Sequence, residues 1–219
     1  MKKLLLSLLL PCLAASTLFA DDVALVTFRI AKEKQVRQFA IEFNEDDAPQ
    51  TVANFKKLAR KGFYKGTTVH RAFPHTLVQM GDPLSRKKDR SAIGTGGPGY
   101  TLAPEIRRKH LKGAVAAARL PDKINPSRVS NGSQFFVCLS PMPSYDGQYT
   151  VFGRVIWGLD TLDLVSTKTV DSNDNPVERI EIRSVKVLPR EKLPAAPAPE
   201  KPGTEVPKVE KKPWWKIFG

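Results

Sequence analysis

An arginine, two glutamines and a phenylalanine stand out in this chain because nothing more reactive accompanies them. Arg71 and Gln79 lie in VHRAFPHTLVQMGD, residues 69–82, whose valines, leucines and phenylalanines alternate like a half-buried strand around a fixed cation. Gln134 and Phe136 lie in SNGSQFFVCL, where the two-residue period of a strand sends both to one side and Phe135 to the other. One phenylalanine then fills a core while its neighbour lines a groove. Such a set holds no nucleophile and no base near neutral pH. It can bind, orient and stabilise charge, and the planar donor fork of an arginine suits that work.

Other chemistries lack their residues. His70, His75 and His110 show no paired metal-ligand spacing, so no metal site is expected. Ser133 sits in NGSQF, without the second glycine of a nucleophile elbow. The glycine-rich GTGGPG, residues 94–99, is followed by no Gly-Lys-Ser/Thr and no helical pattern, and reads as a flexible loop between strands rather than a phosphate cradle. Cys138, in the apolar run QFFVCL, reads as a buried small hydrophobe. No cofactor is implied.

The elements that must position these residues follow from periodicity. VALVTFRI and QVRQFAIEF, separated by KEK, form a hairpin pattern over residues 23–43. DDAPQTVANFKKLARKGF reads as an amphipathic helix with an acidic cap region, Pro49 in its first turn and Gly62 past its end. From Thr67 to Gly158 short apolar runs (TTVHRAF, TLVQMGD, GAVAAAR, SQFFVCL, YTVFGRVI) alternate with glycine and proline, as in an all-β sandwich or barrel. LDTLDLVSTK predicts a second helix and VERIEIRSVKVL a closing strand. Two helices among many antiparallel strands favour a mainly β fold, a barrel capped at its ends.

The 219 residues suit one domain with appendages. MKKLLLSLLLPCLAASTLFA, residues 1–20, has the basic start, apolar run and small-residue end of a signal peptide, which predicts export, and the charge pattern suggests a periplasm. Its removal takes Lys2 and Lys3 from a net charge of +13, leaving 13 − 2 = +11, and leaves Cys138 without a partner cysteine. The basic groups SRKKDR, RRKH and EKK carry no interleaved aromatics, so they read as solvated faces and no nucleic acid is expected. The folded domain is expected over 21–190, and a disordered Pro/Lys/Glu-rich linker over 191–213. WWKIFG, residues 214–219, could contact a membrane or a protein through Trp214, Trp215 and Phe218. The chain is expected to act as a monomer.

VHRAFPHTLVQMGDP, GAVAAAR, SNGSQFFVCL and YDGQYTVFGRVIWGLD, in this order and spacing, resemble the cyclophilin-type peptidyl-prolyl isomerases over about residues 22–188. The resemblance implies an eight-stranded antiparallel β-barrel closed by two α-helices, proline-containing polypeptides as partners and rotation about X-Pro bonds as the activity. That rotation breaks amide resonance against a barrier of ~18–20 kcal/mol and is slow without help. The twisted state frees the nitrogen lone pair, which a well-aimed donor can stabilise. Arg71 matches the family's catalytic arginine, and Gln79 would hydrogen-bond the substrate backbone. Phe136 would face the proline ring in a small apolar pocket, and Gln134 with the backbone around Ala118 and Arg119 would hold the residues before proline extended.

The sequence departs from the family pattern at the pocket. Thr76 and Leu77 stand where an aromatic and a methionine are usual, and Ser144 and Tyr145 replace a rim tryptophan and a pocket leucine, while Tyr149 stands where histidine is common. If Tyr145 swings in to replace the missing ring, the pocket survives. Two readings follow: an isomerase that accelerates folding of exported proteins, or a weakly catalytic or non-catalytic proline-peptide-binding chaperone module located by its tail.

Overall fold

The computed structural model describes residues 21–195; the expected signal peptide, residues 1–20, and the tail with Trp214, Trp215 and Phe218 lie outside the described residues. The elements run β1 (Asp22–Ile30), β2 (Arg37–Phe43), α1 (Pro49–Arg60), β3 (Val69–Phe73), β4 (Leu77–Met80), β5 (Ala114–Ala117), β6 (Phe135–Cys138), β7 (Val151–Trp157), α2 (Leu159–Ser166) and β8 (Ile180–Pro189). Each falls on an apolar run that the sequence marks. The strands form one antiparallel sheet in the order β3-β4-β6-β5-β7-β2-β1-β8. Thr68, just before β3, bridges Glu181 of β8, and Gly66 N–H and Thr67 C=O both bond Ile182, so the two end strands meet and the sheet curls into a barrel.

Inward-facing residues fill the barrel. Phe28, Phe39, Ile41, Val78, Phe135, Val137 and Phe152 belong to one buried cluster, and α1 closes it by inserting Phe55 against Phe43, Tyr64, Phe135 and Phe152 at centroid distances of 5.1–5.7 Å. Buried aromatic contacts of this kind fix how α1 sits over the barrel mouth. The start of α1 corrects one expectation. Its N-cap is Ala48, with no side-chain cap from the preceding aspartates. Glu105 does that work from a distant loop, accepting from Gln50 N (3.0 Å), Thr51 N (2.9 Å) and Thr51 Oγ1 (2.7 Å). A carboxylate at the positive end of a helix satisfies donors that have no partner within it.

A second apolar cluster lies on the outer face of β3, β4, β6 and β5: Phe73, Leu77, Ala116, Phe136, Tyr145 and Tyr149 among others. Tyr145 reaches it from a 3-10 turn, Pro143–Tyr145, that periodicity does not predict. The basic groups are less uniform than expected of solvated faces. Arg86 donates to the carbonyls of Phe63 and Lys65, Arg90 donates to Asp171 (3.2 Å) and Pro176 O (3.1 Å), and His110 of RRKH is buried.

Candidate active site

Strand register builds the site. Arg71 on β3 pairs with Gln79 on β4, Gln79 with Phe136 on β6, and Phe136 with Ala116 on β5, so four strands carry these residues in one transverse row. Alternation alone would put His70 and Arg71 on opposite faces. A bulge resolves this: Val69 pairs with Met80 and Arg71 with Gln79, which leaves His70 as the extra residue. His70 Nε2 then meets Gln134 Oε1 at 3.2 Å while Arg71 joins the row. As the two-residue period predicts, Phe135 enters the barrel core and Phe136 the outer cluster.

Gln134 ties the row to the glycine-rich stretch. Its Nε2 donates to Gly94 O (2.9 Å) and Gly96 O (2.7 Å), and its Oε1 accepts from Gln79 Nε2 (2.9 Å). Asp82, fully buried, accepts from the N–H groups of Leu84, Gly94 and Gly96. GTGGPG is therefore pinned at two points, which corrects the expectation of a flexible loop. Gly81 is required where β4 ends: its φ is +96°, and a Cβ there would strike Ser133 O. Gly96 is required because a side chain would displace the Asp82 carboxylate.

Beside the row lies a cavity of about 500 Å³ whose walls include Arg71, Gln79, Gln134, Arg119, Asp171 and Asp174. Burial pulls Arg71 down from the ordinary arginine range, and the Asp174 carboxylate pushes it back up. Asp174 is held there by its own carbonyl, which accepts from Ala72 N at 2.9 Å. The Arg71 guanidinium also lies 5.3 Å from the centre of the Phe73 ring. Burial keeps His70 neutral, drawing it down to about 4 against the field of Asp82. Among the described residues no three His, Cys, Asp or Glu side chains are grouped to hold a metal ion.

The sequence profile described as "Cyclophilin type peptidyl-prolyl cis-trans isomerase/CLD" matches residues 26–187. The chain belongs to this family. A peptidyl-prolyl cis-trans isomerase of Synechococcus elongatus is 39% identical over 146 residues, 66% of this chain and 88% of that protein. A "Peptidyl-prolyl cis-trans isomerase-like 1" of Gibberella zeae is 33% identical over 168 residues, 76% of this chain and 98% of the relative. The crystal structure of a Cryptosporidium parvum cyclophilin type isomerase superposes with a TM-score of 0.64 at 26% identity, covering 77% of this chain and 97% of that one. A second structure of that protein, in the presence of the dipeptide Ala-Pro, gives a TM-score of 0.62 at 26% identity, covering 75% of this chain and 98% of that one. The chain is thus a cyclophilin-type peptidyl-prolyl cis-trans isomerase with the fold its sequence implies.

Within this cyclophilin the apolar end of the row differs from expectation. Phe136 is 0% exposed and does not line the open cavity. Tyr145 stands edge-on to it at 6.0 Å and 84°, Tyr149 at 5.6 Å and 88°, and the two tyrosines lie 5.0 Å apart. Leu77 is wholly buried in the same cluster, whereas Thr76 turns its hydroxyl to Pro74 O (3.0 Å) and adds no ring. Tyr145 has therefore swung in. Burial raises both phenols above the ordinary tyrosine range, so they stay protonated.

The backbone around Ala118 and Arg119 is divided. Ala118 lines the cavity, while its N–H donates to Gln134 O (2.9 Å) and its carbonyl accepts from Asn131 N (2.8 Å), so both backbone groups already hold partners inside the fold. Arg119 makes no backbone–backbone bond among the described residues, while its side chain is fixed by Gln148 O (2.8 Å), Asp122 (2.6 Å) and the face of Tyr149 (4.5 Å). Sequence reasoning missed Phe73, Asp174 and His110. His110 lies behind Phe136, stacked at 6.1 Å and 10°, with Nδ1 at 3.1 Å from Asp146 Oδ1. Burial lowers His110 and Asp146 opposes that shift. Cys138 is buried and its thiol is pushed up to about 12, as a small hydrophobe rather than a reactive group.

Proposed function

We propose that this cyclophilin accelerates the folding of exported proteins by lowering the barrier to X-Pro rotation without covalent chemistry. The carrying observation is the transverse row of Arg71, Gln79 and Phe136, with Gln134 bonded behind it. Arg71 donates to the imide nitrogen as its lone pair is released in the twisted state, where a donor acts more strongly than in either ground state. Gln79 bonds the substrate backbone, Phe136 receives the proline ring, and Arg119 with Gln134 holds the preceding residues extended. The leader-like residues 1–20 support export, and a periplasmic site follows from that reading. The test is a cis-trans assay on X-Pro peptides with wild type and Arg71→Ala: a loss of about tenfold or more supports the proposal, and equal rates sink it.

A second reading, a binding module with little catalysis, is favoured by one observation: Phe136 is covered in the substrate-free protein. Measurable affinity for proline peptides with no rate enhancement would select it. In either reading Trp214, Trp215 and Phe218 contact a membrane or partner protein. Deleting residues 214–219 and following fractionation with membranes tests the membrane contact, and no change removes it.

A further inference from the structure

We infer that Tyr145 is the gate of the proline pocket, a specificity-determining residue whose ring occupies the place a substrate proline must take. The inference rests on the isomerase reading above. Phe136 has no exposed surface, and the rings standing across it are Tyr145 and Tyr149. The Tyr145 ring stands edge-on to Phe136 at 6.0 Å, and its phenol lies within the field of the Arg71 guanidinium. Phe136 and Arg71 are the two groups between which an X-Pro bond would have to lie.

The gate moves as a side chain, because its backbone is anchored. Met142 N donates to His110 O (2.8 Å), Tyr145 N to Met142 O (2.9 Å), and Asp146 Oδ1 accepts from His110 N (2.7 Å). Thr76, where the family pattern carries a ring, is small and turns its hydroxyl into its own turn, so no ring from position 76 stands in the cluster. Opening therefore means a rotation of Tyr145 away from Phe136 while the 3-10 turn stays in place. A pocket open only a fraction of the time lowers apparent affinity by that fraction. Substrates that bind by the proline alone suffer most. A long unfolded chain, which also engages Arg119 and the cavity beside Arg71, supplies further binding energy to hold the gate open.

The experiment compares the wild-type chain with Tyr145→Leu and Tyr145→Phe, using a tetrapeptide containing Ala-Pro as the probe. NMR titration gives affinity and exchange spectroscopy gives turnover. Tyr145→Leu is expected to bind about tenfold more tightly, with the gain in KM and kcat little changed, as removal of a closed state requires. Tyr145→Phe keeps the ring and is expected to stay near wild type, which also guards against a misfolded leucine variant. In wild type the Tyr145 ring resonances are expected to shift on adding peptide. Equal or weaker binding by a folded Tyr145→Leu overturns the gate. If no protein turns the peptide over, the isomerase reading fails separately, and the affinity comparison still decides the gate.

Discussion

Gln79 Nε2 donates to Gln134 Oε1 at 2.9 Å, and that bond decides what Gln79 offers a substrate. Gln134 cannot turn its amide, because its Nε2 is committed to the carbonyls of Gly94 and Gly96. Gln79 must then direct one N–H toward Gln134, and its Oε1 is buried without a hydrogen-bond partner in the substrate-free protein. An amide has two N–H donors and one acceptor oxygen. One donor and the oxygen therefore remain for a peptide backbone, and both are oriented before it arrives.

Gln134→Ala removes that orientation. It strips the donor from Gly94 O and Gly96 O and releases Gln79. Stability should fall by ~1–3 kcal/mol, and kcat/KM on an X-Pro peptide by about tenfold. Urea unfolding and the peptide assay measure the two effects, and a variant that loses stability but keeps full activity would contradict the role given to the pair.

Stability should decline in mild acid. Unfolded histidine titrates near 6.5, whereas burial holds native His70 down to about 4. Between those values the unfolded chain binds a proton that the native chain does not, so stability is full above about pH 6.5 and falls as pH drops toward 4. His70 alone accounts for about 3 kcal/mol across that window. His110, also lowered by burial, acts in the same direction. Urea midpoints at pH 7.5 and pH 5 check the sign, and His70→Gln should flatten the curve.

Glu105→Gln should destabilise the fold by ~1–2 kcal/mol, because a charged acceptor is lost from the first turn of α1. The X-Pro kinetics should be unchanged, since Glu105 contacts Gln50 and Thr51 and no member of the transverse row. Chemical denaturation and the peptide assay on one preparation separate the effects.

Thr76→Phe should fail to improve the enzyme by itself. Thr76 stands in the turn between Phe73 and Leu77, both members of the cluster that Tyr145 already fills. Combined with Tyr145→Leu, it should tighten proline-peptide binding by ~1 kcal/mol or more beyond the sum of the single effects. A double-mutant cycle on peptide affinity measures the coupling, and additivity contradicts a shared space.

Much of this was legible in the chain itself, because strands write their faces at period two. That period alone sends Phe135 and Phe136 to opposite sides, and the SNGSQFF and VHRAF stretches mark strands of the row. Long-range pairings left no local signal. Glu105 caps a helix 54 residues away, and Asp174 reaches Arg71 from beyond α2. The bulge at His70 is set by pairing with β4, and alternation cannot announce it. The closure over Phe136 depends on how the Tyr145 and Tyr149 rings are turned, which composition does not encode. His110 follows two exposed arginines and an exposed lysine in the chain, yet it packs inward on Phe136.

The central claim is that Arg71 stabilises the twisted X-Pro bond through its donor fork. It is tested most directly by kcat/KM for cis-trans exchange of an X-Pro peptide, compared among wild type, Arg71→Lys and Arg71→Ala. Both variants should lose about tenfold or more, in kcat rather than KM, because the lost contact belongs to the transition state. Rates equal to wild type in folded Arg71→Ala would contradict the account.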